Sequence, residues 1–160
     1  MLAGAGWWAV RRRAAPEPGL RWLDASSSPI VAALIPAVLA GSLPTDPAAR
    51  GSARREVLEA FDRAVAGLAP AIQAEVAQLF ALLSIPPLRL ALAGLASSWE
   101  EASPEDVSAF LDRWRASRFA LLRAACQSLS QLIIAAWYGN PAAWAAIGYP
   151  GPPALEGNSA

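Results

Sequence analysis

Cys126 is the only cysteine in the chain, and a thiol is a strong nucleophile once ionised. Its usual activator is an imidazole, yet the sequence contains no His. All thirteen basic residues are Arg, so Lys is absent as Schiff base or phosphate ligand. Cys126 also falls on an apolar helical stripe, where a packed core thiol is the simpler reading. Glu100 and Glu101 are adjacent, and neighbouring side chains on a helix diverge, so they form a poor metal pair. Ser128 and Ser130 lack the G-x-S-x-G setting of a strained nucleophile and read as surface or back-bonded hydroxyls. The G-A-G at Gly4 to Gly6 runs into Trp7-Trp8 with no strand before it, so no phosphate loop is indicated. Arg113, Arg115, Arg118 and Arg123 gather at one helix junction. Thirteen acidic residues balance the thirteen Arg, which favours a salt-bridged rim over a nucleic-acid patch. The expectation is a chain with no catalytic, cofactor-binding or metal-binding residues, and no nucleic-acid partner.

The elements that carry these residues read as helical throughout. The 160 residues suffice for one domain with a core. Hydrophobic residues make up 55% and charged residues 16%, so part of the apolar surface is expected to be covered by a partner. Ser28 with Pro29 opens a helix, apolar over Ile30 to Ala40, bent at Pro36 and closed by Gly41 and Pro44. Ser52 to Leu68 is amphipathic, with Val57, Leu58, Phe61, Val65 and Leu68 on one face. Pro70 starts a helix striped by Ile72, Val76, Leu79, Phe80 and Leu83. Pro86-Pro87 ends it, and Leu88 to Leu95 makes a short buried helix. Ser103-Pro104-Glu105-Asp106 combines a cap, a first-turn proline and acids at the positive end of the dipole. Val107, Phe110, Leu111 and Trp114 face inward from it. A long helix over Arg118 to Tyr138 carries Phe119, Leu122, Cys126, Leu129, Ile133 and Trp137, with Gly139 as its left-handed cap. The predicted fold is all-α: an irregular bundle of five to six helices with an extended Gly/Pro/aromatic C-terminal segment.

The ends divide the chain. Residues 1–28 read as a leader or flexible arm carrying the basic cluster Arg11, Arg12 and Arg13. Residues 29–153 form the helical domain, and 154–160 a disordered tail. Ile30 to Gly41 is too short to span a bilayer, so no transmembrane span is expected. A secretory apolar region is the competing reading of that stretch, and a core helix is favoured.

Residues 136–153 read AWYGNPAAWAAIGYPGPP. Trp137, by its place on the helical stripe, has core and docking readings of equal merit. Tyr138, Trp144 and Tyr149 cannot share one helix face. Rings on a stiff frame of Gly139, Asn140, Pro141 and Pro150 lose little freedom on docking and bury large areas, which favours a clamp on a partner.

This closing run resembles the end of the small subunits of membrane-linked bacterial flavoprotein dehydrogenases, the gluconate 2-dehydrogenase subunit 3 family and its twin-arginine-leader relatives. The stretch IVAALIPAVLAGSLP, Ile30 to Pro44, is similar to that family's first helix. The resemblance spans roughly residues 28–153, and only its two ends are specific. It implies a non-catalytic accessory subunit. Its partner would be a large dehydrogenase subunit of the glucose-methanol-choline type, holding FAD and oxidising an alcohol or sugar. A cytochrome c subunit commonly accepts the electrons in such complexes. It implies a partner interface at Trp137, Tyr138, Asn140, Pro141, Trp144, Tyr149 and Pro150. A twin-arginine signal at Arg11, Arg12 and Arg13 would place the complex in the periplasm or cell envelope. Here Arg12-Arg13 is followed by Ala-Ala-Pro-Glu-Pro, a departure from that signal, and without a working leader the chain is cytoplasmic. The alternative is an envelope-associated helical protein, anchored by its apolar N-terminal region, with no dehydrogenase partner.

Overall fold

The computed structural model describes residues 14–139, and among them the fold is all-α with six helices and no sheet. They are α1 (Ser28–Val38), α2 (Pro47–Ala66), α3 (Pro70–Ser84), α4 (Pro86–Ala93), α5 (Pro104–Arg115) and α6 (Ala120–Tyr138). The expected extended closing segment and the 154–160 tail lie outside the described residues.

Proline sets most of the starts. Five of the six helices carry Pro in the first turn, where its missing N–H costs nothing. Ser103 caps α5 as expected, its Oγ accepting from the Asp106 N–H at 3.1 Å. α2 begins five residues before the expected Ser52, because Asp46 caps it by accepting from the Ala49 N–H at 2.8 Å. At the end of α6 the expectation is corrected. Gly139 is right-handed, with φ −71°, and caps through N–H bonds to the Ala135 and Trp137 carbonyls rather than a left-handed turn. Gly94 does take the left-handed form, φ +66°, and closes α4.

α1 is the hub. It packs on α2, α3, α5 and α6, while α2 also packs on α6 and α5 on α6. Ile30, Val31, Leu34 and Ile35 of α1 are fully buried. That stretch is therefore a core helix of the bundle. α3 and α4 meet at a 101° bend. Two indoles tie that corner to the rest. Trp99 Nε1 donates to the Leu83 carbonyl at 2.9 Å, and Trp114 Nε1 to the Leu92 carbonyl at 2.7 Å. Both acceptors lie in last turns, where helix carbonyls lack an internal donor. Phe110 sits edge-on between Trp99 and Trp114, with centroids at 5.8 and 4.7 Å.

Of the expected leader or flexible arm over 1–28, the described part is packed rather than loose. Residues up to 13 lie outside the described residues, but those that follow are part of the bundle. Pro16 bridges antiparallel to Asp24, and the Glu17 N–H donates to the Leu23 carbonyl. Trp22 and Leu23 are buried, Trp22 edge-on to Phe80. Asp62 of α2, only 1% exposed, accepts from the backbone N–H groups of Arg21, Trp22 and Leu23 at 2.7 to 2.8 Å. A buried carboxylate needs such donors to offset its desolvation, and a strap without regular structure needs an acceptor for its amides. Asp62 meets both needs.

Candidate docking surface

The site is built on α6. Its inner stripe of Cys126, Leu129, Ile133, Ala136 and Trp137 is buried against the bundle. Trp137 is 2% exposed and Tyr138, the next residue, is 45% exposed. One residue of helix turns the chain by about 100°. The same rotation that sinks the indole into the core therefore brings the phenol ring to the surface. Trp137, expected either in the core or in a partner interface, thus lies in the core of its own bundle, and Tyr138 is the ring beside it at the surface. Asn140, Pro141, Trp144, Tyr149 and Pro150 lie outside the described residues, as do Arg11, Arg12 and Arg13.

Beyond its first turn, the outer face of α6 carries no charge. Arg123 is the helix's one charged residue, and its Nη1 is taken up by the Ser117 carbonyl at 2.6 Å. Exposed on this face are Leu121 at 78% and Ile134 at 39%, with Ala124, Ser128, Gln131 and Ala135 between them. Phe119, expected inside, lies exposed before the first turn with Arg118 stacked on its ring at 4.8 Å. An exposed face with one charge on a 19-residue helix is unusual for a bundle in water. The apolar stripe marks only the inner side of the helix. The signal for the outer side was present in the sequence as the lack of charged residues between Ala124 and Tyr138.

The residues considered for chemistry are dispersed. Cys126 is buried, its thiol donating toward the Leu111 carbonyl at 3.6 Å, as a core cysteine does. Ser128 is exposed, whereas the Ser130 hydroxyl is buried among the inner stripe. Glu100 and Glu101 fall in a turn rather than on a helix. No group of three or more acidic, His or Cys side chains able to hold a metal forms among the described residues. Around the junction of α5 and α6 the arginines are occupied separately. Arg115 pairs with Asp112 at 2.9 Å, Arg118 stacks on Phe119, and Arg113 lies against Gly94. That is a rim, not a converging basic patch.

Comparison with protein-family models, with curated proteins and with solved structures finds no match. The functional reading therefore stands on the residues themselves.

Away from α6, Asp24 is the group with a displaced acidity. Burial opposes its ionisation. The hydroxyls of Ser26 and Ser27, with the N–H groups of Ser27 and Ser26, outweigh that and hold its carboxyl below the usual range. These contacts sit just ahead of α1, at 2.7 to 3.1 Å. The expected Ser28 cap is corrected: α1 has no side-chain cap, and the Asp24 cluster orders the turn ahead of it. Ser28 is the first helical residue, and Ser27 turns its hydroxyl back to Asp24.

Proposed function

We propose that this chain is a non-catalytic accessory subunit, which binds and stabilises the FAD-holding catalytic subunit of an alcohol or sugar dehydrogenase. The observation that carries the reading is the aromatic closing run, with its resemblance to the flavoprotein-associated small subunits, starting from a rigid helix end. The buried Trp137 holds that end in place, and Tyr138 leads outward from it. Anchoring lowers the entropy lost when the following rings dock. The lack of His and Lys, with Cys126 in the core, supports a role without chemistry of its own. FAD would belong to the partner, and a cytochrome c subunit could share the complex. Stabilisation follows from linkage: a subunit that binds the folded partner and not its unfolded chain shifts the partner toward the folded state. With the partner exported, the complex would reside in the periplasm or envelope.

A membrane-associated reading different from anchoring by the N-terminal region would use α6, which by length and composition could cross a membrane. Against a span, its inner stripe is committed to α1, α2 and α5, and Ser128 and Gln131 stand mid-helix on the other side. The test of the docking reading is a double substitution, Trp144→Ala with Tyr149→Ala. Co-purification with the flavoprotein should fall to background while the helical circular dichroism of the small subunit is retained. Undiminished co-purification would remove the closing run from the interface.

A further inference from the structure

We propose that the outer face of α6 pairs antiparallel with the same helix of a second copy. Among the exposed residues of α6, Leu121, Ala124, Ser128, Gln131, Ala135 and Tyr138 follow one another at alternating spacings of three and four, with Arg123, Gln127 and Ile134 exposed along their flank. That is the spacing of a coiled-coil seam, here on the side of the helix turned away from its own bundle. The seam is also self-complementary. With a two-fold axis placed between positions 129 and 130, Leu121 stands opposite Tyr138 of the other copy, Ala124 opposite Ala135, and Ser128 opposite Gln131. The order from either end is large, small, polar, polar, small, large. A two-fold contact requires this: residue i meets j and j meets i. A dissimilar partner would impose no such symmetry on the face.

The chemistry of each layer fits. The Ala124–Ala135 layers leave room for close approach of the helix axes, with the larger Leu121 and Tyr138 closing both ends. At the centre the Gln131 amide can both donate to and accept from the Ser128 hydroxyl, so the polar layers are satisfied by each other. No charge lies in the seam to be desolvated, and the chain's zero formal charge gives no long-range repulsion between copies. The seam runs about 27 Å at 1.5 Å per residue. One helix pair of that length lies at the small end of stable interfaces, so association on the order of micromolar is expected. This inference rests on an observation separate from the closing run and shares only Tyr138 with it.

The purified full chain, without any flavoprotein, should sediment as a concentration-dependent dimer. Ser128→Glu puts like charges beside the axis and should weaken the dimer at least about tenfold, with the helical circular dichroism unchanged. Adding Gln131→Arg places opposite charges across the axis and should restore it. A chain carrying Ala124→Cys mixed with one carrying Ala135→Cys should form an intermolecular disulfide on mild oxidation, and neither should do so alone. A chain that stays monomeric, a dimer indifferent to Ser128→Glu, or cross-linking of either cysteine variant by itself would each overturn the proposal.

Discussion

Asp24 and Asp62 show how two carboxylates make an irregular strap part of a core. Asp62 collects three successive amides from a segment about forty residues earlier, and Asp24 gathers two hydroxyls and two amides immediately before α1. The Asp24 carboxyl ionises more readily in the folded chain than when unfolded. Its contribution is therefore complete above the unfolded value, near pH 4, and is lost as pH falls through the lower folded value. Asp24→Ala should be less stable by about 1 to 3 kcal/mol at neutral pH, as for loss of hydrogen bonds to a charged group. That gap should narrow as pH drops below about 4. Chemical denaturation of both chains across that range checks the sign: a gap that widens in acid would contradict it. Neither carboxylate could be assigned this work from the sequence. Asp62 falls on a helix among charged neighbours, and only the fold brings residues 21–23 to it.

At the scale of elements, what was legible is what local chemistry decides. Ser103-Pro104 marked the start of α5, and Val107, Phe110, Leu111 and Trp114 all reached the core, because cap and stripe are written within one turn or two. The start of α2 was placed late because its apolar stripe begins only at Ala53, while the Asp46-Pro47 cap precedes it by a solvated turn. The strap over 14–27 has no period at all, so nothing in its pattern marks it as part of the core. Phe119 matched the α6 stripe by spacing, yet it precedes the first helical turn, where the backbone is extended and the stripe does not apply. Of the candidate surface, Trp137 and Tyr138 were legible as residues, but which would be anchor and which would be exposed depended on the phase of α6. Gly94 belongs to this scale too. It ends α4 with φ +66°, and an added Cβ would fall on the Arg113 guanidinium. Gly94→Ala should destabilise by about 1 to 2 kcal/mol, from the left-handed strain and the displaced arginine together. Thermal unfolding measures it, and an unchanged melting temperature would show that the α4–α5 corner does not depend on that turn.

At the scale of the molecule, a small bundle with little charge carries exposed apolar side chains at two places among the described residues: Phe119, Leu121, Ile134 and Tyr138 along α6, and Ile72, Leu82, Ile85 and Leu90 around the α3–α4 corner. Its core is already complete without that surface: α1 is enclosed, the indoles of Trp99 and Trp114 are hydrogen-bonded, and Asp62 holds the N-terminal strap. Apolar area left over after a core has closed lowers the free energy only when another polypeptide removes it from water. The central claim is that the closing run finds that polypeptide in a flavin-dependent catalytic subunit. Native mass spectrometry of the chain drawn from its own cells tests this most directly. The account predicts a complex whose added mass comprises a larger subunit with FAD bound. Recovery of this chain without a flavoprotein, alone or only paired with itself, would contradict it.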